Sequence, residues 1–429
     1  MTLIKTSFLS LIATIIKLIS GLIINKAVAI FIGPSGLAMI GQFQNFIQIT
    51  LTLAQGAINT GVTKYSAENG KDSSTLPVLV STATKISVTC SALVGCLVIL
   101  FADVLSLKIF NSLEFESVFI VFGITVVLYV LNSLLLSFLN GLKEIKAFIS
   151  INIAQSFYSL IFTTLLVIFF GLKGALFALV TNQSIVFITS LIYLKKKYGI
   201  SFDVFKSKFD KKVAKKLSNF SLMALVSAVC VPGSHMIIRD FIADELTIEA
   251  AGYWQAMWYI SSMYLMVITT ALGTYYLPRL SEIKSRSELS AELFNGYKII
   301  LPIVSSLAFL IYLLKDIIIL VLFTPKFEAM RELFAWQLLG DVLKIASWLV
   351  AYLLLAKAKT FIYVSTEIIF SISFVCLSFF FVSEYGTVGM TYSYSLNYLF
   401  YLIAISLVVR KVFFTGPQNN ELLKGHHKK

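Results

Sequence analysis

Long apolar runs recur along the whole of this 429-residue chain and are separated by short polar stretches. Each run has close to the roughly 20 residues that a helix needs to cross the ~30 Å hydrocarbon core of a bilayer. Only 13% of the residues are charged, whereas soluble domains average about 25%, so the chain lacks the polar surface it would need in water. The pattern predicts an all-α polytopic membrane protein with twelve transmembrane helices.

A lysine-rich segment at residues 195–216 carries nine lysines near the middle of the chain. Such loops stay cytoplasmic under the positive-inside rule, and six predicted spans on either side then place both termini in the cytoplasm. We expect four regions: an N-terminal six-helix bundle at 1–197, a basic cytoplasmic linker at 198–216, a C-terminal six-helix bundle at 217–411 and a polar cytoplasmic tail at 412–429. The net charge of +13 comes largely from loop lysines, which favours anionic lipid headgroups over nucleic acid as the partner.

The two halves of the chain resemble each other at a nearly constant spacing. Three polar pairs lie 213 residues apart: Lys26 with Arg239, Gln42 with Gln255, and Lys85 with Lys298. In the last helix of each half the offset becomes 215, as for Gly174 and Gly389. Because six spans are an even number, both halves insert with the same orientation, which predicts a pseudo-two-fold axis along the membrane normal. Parallel repeats of this kind are typical of transporters that bind substrate near the midplane.

Ionisable residues within the predicted spans indicate a cavity, since they are costly in lipid and usually face water or a partner. The basic ones are predicted to line a cationic, substrate-binding lumen: Lys17, Lys26, Lys85, Arg239, Lys298 and Lys344. Snorkelling towards the headgroups is an equally open interpretation for Lys85 and Lys298.

The acidic residues within spans are candidates for ion pairing or for coupling to an ion gradient. They are Asp240, Asp341 and Glu367. Asp341 and Lys344 are three residues apart on one helix face, a spacing at which opposite charges can pair. For Glu367 a hydrogen bond between helices remains an alternative to a proton or sodium site.

Polar amide side chains mark the second predicted span, which is unusually hydrophilic for a lipid-facing helix. Gln42, Asn45 and Gln48, with Gln255 in the second half, are predicted to line a wet cavity and to contact sugar hydroxyls.

A cationic lumen predicts an anionic substrate, because the forked donors of arginine suit phosphate oxygens. A carrier of organic cations would instead use acidic residues and aromatic walls. The sequence contains no nucleophile elbow, no phosphate-binding glycine loop and no metal-ligand spacing. We therefore expect a transporter with no cofactor and no metal, and not an enzyme.

Residues 326–344, KFEAMRELFAWQLLGDVLK, resemble a run in the flippases for undecaprenyl-pyrophosphate-linked oligosaccharides. These are the Wzx-type O-antigen translocases and the lipid III flippases of enterobacterial common antigen. Shorter matches lie at residues 31–37, 61–65, 222–225, 254–255 and 276–281, and the resemblance covers about residues 2–410. Two departures are Asp240, where the family carries a second base, and residues 415–429, which match nothing in the family.

The resemblance implies a polysaccharide transporter of the MOP exporter superfamily, the MATE-like fold with two six-helix bundles around a V-shaped cavity. It also implies alternating access, a bacterial inner-membrane location, and an undecaprenyl-pyrophosphate glycan as cargo. Inner-membrane lipids, the cognate polymerase and the chain-length regulator are the further partners it implies. O-antigen and common-antigen cargo both stay open, as does the energy source. The alternative is a MATE-like drug or cation exporter of the same superfamily.

Overall fold

The computed structural model describes residues 3–69, 75–198, 209–218, 221–283, 285–357 and 359–415, and every regular element in these ranges is helical. The all-α prediction is confirmed. Residues 199–208 of the lysine-rich segment and 416–429 of the predicted tail lie outside the described residues.

Eight helices make up the described part of the chain before residue 219. They are α1 Leu3–Phe31, α2 Gly33–Ala54, α3 Asn59–Asn69, α4 Leu76–Leu100, α5 Ala102–Phe110, α6 Glu116–Gly141, α7 Ile145–Tyr198 and α8 Lys211–Ser218. Helix α7 consists of two helices that meet at Gly171, whose φ of +55° and ψ of −133° lie outside the helical region. Glycine occupies this position because residues with a Cβ rarely adopt that conformation.

A further eight helices follow from residue 221 onwards. They are α9 Ser221–Glu245, α10 Ile248–Ala271, α11 Leu277–Glu282, α12 Arg286–Leu313, α13 Lys315–Leu322, α14 Phe334–Ala356, α15 Thr360–Tyr385 and α16 Gly389–Val409. A π-helical stretch, Leu272–Tyr276, joins α10 to α11, and the 3₁₀-helical stretch Pro325–Leu333 precedes α14.

Within the described ranges, eight segments are long and apolar enough to cross a membrane. Two of them, Ile145–Ile192 and Thr360–Phe414, each contain a pair of helices that meet at a glycine turn. Helices α2 and α10 have 22 and 24 residues, which is enough to span, but their polar side chains lower their hydropathy. With these two, the described part of the chain has twelve helices of spanning length, as predicted.

The predicted repeat is visible in the positions at which helices begin and end. At the offset of 213, α5 begins at Ala102 where α13 begins at Lys315, and α4 ends at Leu100 where α12 ends at Leu313. At the offset of 215, the turn at Gly171 recurs at Gly386, whose φ is +62°. The two halves therefore fold with the same succession of helices.

Contacts divide the chain into unit 1, Met1–Gly233, and unit 2, Ser234–Lys429, with the division inside α9 next to Pro232. In unit 1, α6 packs against α4 and α7, and α1 packs against α7. In unit 2, α14 packs against α12 and α16, and α15 packs against α16. Helix α6 and helix α14, equivalent in the repeat, are thus each packed on several neighbours.

The lysine-rich segment ends in α8, which packs on α3 and α4 of unit 1. Asp210 caps this helix, since its Oδ1 accepts a hydrogen bond of 2.7 Å from the backbone nitrogen of Lys212. Leu217 is fully buried and packs against Gly61, while Lys211 and Lys215 remain exposed. The helix therefore has an apolar contact side and a basic exposed side.

Both units contain aromatic and aliphatic core clusters. In unit 1, Phe43 packs its ring against Phe110, Phe119 and Phe122 at centroid distances of 5.3 to 6.4 Å, and Ile58, Val62 and Leu79 belong to a mainly aliphatic cluster. A mainly aliphatic cluster of unit 2 includes Leu265, Ile268, Leu272, Ile345, Leu349 and Leu353.

Candidate functional site

Asp341 is fully buried in α14 of unit 2 and is held by two tyrosines. Tyr264 of α10 donates a hydrogen bond of 2.8 Å to its Oδ2, and Tyr394 of α16 donates one of 2.9 Å to its Oδ1. Each carboxyl oxygen thus has its own hydroxyl donor, as a buried polar group requires. Lys344 is also close enough to Asp341 to interact with it electrostatically, and an ion pair between the two stays a prediction.

Gly340 allows the ring of Tyr394 to lie against α14. A Cβ at this position would come within 2.3 Å of Tyr394 Cδ1, far inside van der Waals contact. The neighbouring Asp341 is reached by the tyrosine hydroxyl only because the glycine leaves this space. Gly340 and Asp341 therefore both contribute to the contact with Tyr394: the first leaves space for its ring, and the second accepts its hydrogen bond.

Lys344 lies about one turn after Asp341 and carries its ammonium group over aromatic rings. Its Nζ is 4.7 Å from the ring centroid of Trp258, 5.0 Å from that of Trp348 and 5.7 Å from that of Tyr398. These distances fall within the roughly 6 Å over which a cation is attracted by a ring face. The ring faces thus attract the ammonium group of this half-buried side chain.

Arg239 and Gln255, which sequence analysis assigned to the cavity lining, meet inside unit 2. Arg239 is 3% exposed, and its guanidinium donates a hydrogen bond of 2.5 Å to the Gln255 side-chain oxygen. The same guanidinium lies 5.6 Å from the ring of Trp254. Helices α9 and α10 thus hold an arginine in a fixed orientation.

His235 connects these groups through ring contacts. Its imidazole stacks on Trp254 with centroids 5.2 Å apart and meets the edge of Trp258 at 4.2 Å. Trp258 in turn packs edge-to-face on Tyr394 at 5.6 Å. We call this set the unit 2 cluster: His235, Arg239, Trp254, Gln255, Trp258, Asp341, Lys344 and Tyr394.

The other residues predicted for the second half lie at or outside the edge of the unit 2 cluster. Glu367 of α15 is half-buried and close enough to Lys344 and Tyr398 to interact with them electrostatically. Asp240 and Lys298 are exposed. Asp240 follows Arg239 in the chain and interacts with it electrostatically, and a role in the lumen stays a prediction for both Asp240 and Lys298.

In unit 1 the predicted residues are spread over several places. Lys17 and Lys85 are exposed, while Lys26 is half-buried in α1. Their role in a cationic lumen also stays a prediction.

The predicted amides of α2 differ in burial. Gln42 is buried, and Asn45 is half-buried with its side-chain nitrogen lacking a hydrogen bond within the described part of the chain. Gln48 is exposed at a cavity of about 260 Å³ inside unit 1.

The unit 2 cluster combines basic, acidic and aromatic side chains. Arg239 and Lys344 lie against ring faces, Asp341 is engaged by hydroxyl donors, and Glu367 interacts electrostatically with Lys344. Among the residues that the structure describes, no group of three or more His, Cys, Asp or Glu side chains is arranged to hold a metal ion.

Residues 3–284 match the family model described as polysaccharide biosynthesis protein. The chain belongs to this family. Two curated members that it resembles are each named lipid III flippase, one from Escherichia coli strain K12 and one from Shigella flexneri. Each is 29% identical over 401 residues, which cover 94% of this chain and 96% of the relative.

Solved structures place this polysaccharide biosynthesis protein in the fold of the MOP superfamily. An inward-facing MATE family multidrug resistance transporter matches with a TM-score of 0.76 and 13% identity, covering 94% of this chain and all of the other. A MOP superfamily transporter from Pyrococcus furiosus, described as having a binding pocket of reverse polarity, matches with a TM-score of 0.67 and 13% identity over 92% and 95% of the two chains. At such identity the likeness shows the fold alone.

Sequence reasoning missed the aromatic residues in and beside the unit 2 cluster. Trp258 and Tyr394 of the cluster, with Tyr264 beside it, supply ring faces and hydroxyl donors, but aromatic residues are common in membrane helices and were not singled out. The spacing of Tyr394, Tyr398 and Tyr401 places them on one face of α16, and this spacing was the available signal.

Proposed function

We propose that this protein is a flippase that carries an undecaprenyl-pyrophosphate-linked oligosaccharide from the cytoplasmic to the periplasmic leaflet of a bacterial inner membrane. Family membership and the end-to-end similarity to two lipid III flippases support this function. The observation that carries it is the placement of Arg239 and Lys344, two bases held on aromatic rings inside unit 2.

The pyrophosphate is the part of such a cargo that these bases suit. Lipid offers no counter-ion to a pyrophosphate, so its passage requires fixed cations along the route. Gln255 orients the Arg239 guanidinium, and the three rings orient the Lys344 ammonium. Little side-chain freedom is then lost when an anion binds.

The fold supports transport by alternating access, because repeated halves of this kind move between inward-open and outward-open states around a central site. We further propose that both termini are cytoplasmic, in accord with the basic segment at residues 195–216. The polymerase that extends the glycan and its chain-length regulator would act on the product at the periplasmic side.

A drug or cation exporter is the second candidate, since a MATE transporter shares the fold and the buried Asp341 lies among aromatic rings. The position of Lys344 counts against it. An organic cation would need the faces of Trp258, Trp348 and Tyr398, and the protein's own ammonium group already lies over all three.

The two functions are separated by mass spectrometry of polyprenyl lipids in a strain lacking this gene and any other flippase of the family. Accumulation of an undecaprenyl-pyrophosphate oligosaccharide, reversed by the wild-type gene, supports the flippase, and the mass of the glycan identifies the cargo. An unchanged lipid pool together with increased sensitivity to cationic drugs would support the exporter instead.

A further inference from the structure

A polar, uncharged cavity of about 260 Å³ lies inside unit 1, between α2, α6 and α7. Six of its eight lining residues carry neutral polar groups: Gln48, Thr52, Gln55, Tyr129, Ser133 and Gln183. The other two are leucines. Its volume is just below the roughly 300–1,000 Å³ of pockets for drug-sized molecules, so the cavity suits a small ring.

Two asparagines outside the lining hold the glutamines in place. The Asn59 side-chain nitrogen donates to Gln55 Oε1 at 2.9 Å and to Ser133 Oγ at 2.8 Å. The Asn132 side-chain nitrogen donates to Gln183 Oε1 at 2.5 Å. Because the oxygens of Gln55 and Gln183 are engaged in this way, their Nε2 groups are the hydrogen-bond donors that remain for a ligand. The positions of these donors are therefore set before any ligand binds.

Unit 2 repeats the helices of unit 1, so it shows which residue types the fold accepts at the positions of this cavity. At the offset of 213, five polar residues of the cavity and its support correspond to buried apolar residues of unit 2. The pairs are Thr52 with Leu265, Gln55 with Ile268, Asn59 with Leu272, Asn132 with Ile345, and Ser133 with Ala346. Four of these unit 2 residues, Leu265, Ile268, Leu272 and Ile345, belong to one mainly aliphatic core cluster, whereas Gln48 corresponds to the buried Ser261. Polar groups within a membrane protein are costly and mark functional sites. The five polar residues in unit 1 therefore indicate a ligand-binding site.

The lining specifies the chemistry of that ligand. It carries neither a base nor an acid, so it offers no counter-charge to a phosphate or to a cation. Amide and hydroxyl groups donate and accept hydrogen bonds, which is the pattern that the hydroxyl and acetamido groups of a sugar require. The flat ring of Tyr129 and the two leucines offer apolar surface to the C–H face of a sugar ring.

We propose that this cavity binds one uncharged sugar residue of the transported glycan. This inference rests on the proposed function and assigns the sugar recognition to unit 1. A site built to hydrogen-bond a hydroxyl discriminates strongly against an analogue that lacks it, so the cavity would also select among glycans.

Saturation-transfer NMR on the full-length protein in lipid nanodiscs tests the proposal, with all sugar-based detergents removed. The probe is the free oligosaccharide that mild acid releases from the lipid precursor accumulating in the null strain. Transfer to the protons of one sugar ring is expected with the wild type. Gln183→Leu and Gln48→Leu should weaken this binding by about tenfold, because each removes a donor from the ligand.

Gln44→Leu is the matched control, because Gln44 is an exposed glutamine one turn earlier on α2 and does not line the cavity. It should bind the oligosaccharide as the wild type does. Gln48 is exposed and outside the asparagine network, so Gln48→Leu tests recognition with little risk to folding.

The outcomes distinguish this proposal from the proposed function. If the null strain accumulates the lipid-linked glycan but both cavity variants bind and export it normally, the sugar site is wrong and the flippase stands. If no such lipid accumulates, the proposed function fails. The sugar site is then tested by the same NMR experiment with free methyl glycosides of the common neutral hexoses, and it is overturned if none of them binds.

Discussion

The hydroxyl of Tyr394 donates a hydrogen bond of 2.9 Å to Asp341 Oδ1, joining α16 to α14 in the middle of unit 2. Tyr264 takes the second carboxylate oxygen. The acid is thus satisfied by neutral donors, although a lysine lies only one turn away on its own helix. Lys344 instead places its side-chain nitrogen over three aromatic rings. The carboxyl oxygens of Asp341 therefore accept from tyrosines, and the Lys344 side chain is directed at ring faces in the proposed anion site.

Replacing Tyr394 with Phe should lower the stability of the purified protein by about 1–3 kcal/mol, the cost of leaving a buried hydrogen-bonding group without its partner. Thermal unfolding in a non-ionic detergent measures the change. Tyr392→Phe is the control, since Tyr392 lies on the same helix and contacts Trp336 through its ring. Equal stability of the two variants would show that the hydroxyl of Tyr394 does not stabilise the folded protein.

Gly340→Ala should be destabilising by about 1–3 kcal/mol, because the new methyl group would overlap the Tyr394 ring and force it away from Asp341. The expected signature is a loss of stability that does not add to that of Tyr394→Phe, since both changes break the same contact. A double mutant with fully additive loss would contradict the shared mechanism.

Lys344→Gln should reduce glycan export by about tenfold or more, because it removes a fixed cation from the pyrophosphate path. Lys344→Arg keeps both the charge and the attraction to the rings and should retain most activity. Export is followed as surface glycan normalised to the amount of protein in the membrane. Lys326→Gln, an exposed lysine in the 3₁₀-helical stretch before α14, should export as the wild type does. Normal export by Lys344→Gln would remove this residue from the proposed site.

Gly171→Ala and Gly386→Ala should each be destabilising by about 1–3 kcal/mol, because both glycines have a positive φ that an alanine adopts only with strain. Gly233→Ala is the comparison, since Gly233 is helical and nothing lies within 4 Å of a Cβ there; it should be neutral or slightly stabilising. Melting temperatures of the three variants check the prediction. A fall for only one of the two turn variants would argue against equivalent turns in the two halves.

Much of the fold could be predicted because membrane helices are set by the length of their apolar runs. The spans α4, α6 and α12 follow from composition, and the offset of 213 between Lys85 and Lys298 correctly related α4 to α12. The short helices α3, α5, α11 and α13 were missed. They have only 6 to 11 residues, which is too few turns for a periodic pattern to mark them.

The site could be predicted only in part because a linear pattern identifies costly charges and not their partners. Arg239 and Gln255 were both singled out, and they meet. The proximity of Asp341 and Lys344 along one helix suggested an ion pair, and the two do interact electrostatically. The same spacing could not show that tyrosines from two other helices donate to the carboxyl group. Such tertiary contacts depend on packing, for which spacing within one helix carries no information.

Three lining residues of the neutral cavity of unit 1, Gln48, Thr52 and Gln55, belong to the hydrophilic second span that the sequence marks as facing water. The other donors of the cavity come from α6 and α7, further along the chain. Comparing the two repeats position by position would have revealed it, because amides in one half stand where aliphatic residues stand in the other.

Reconstituted transport tests the central claim most directly. The purified protein is placed in liposomes with the undecaprenyl-pyrophosphate glycan from the null strain, and access of that glycan to an added impermeant glycosidase is followed with time. Glycan initially protected inside should become accessible with the wild type and remain protected with Arg239→Gln. If the glycan became accessible to the glycosidase no faster with the wild type than in protein-free liposomes, the assignment as a flippase would be contradicted.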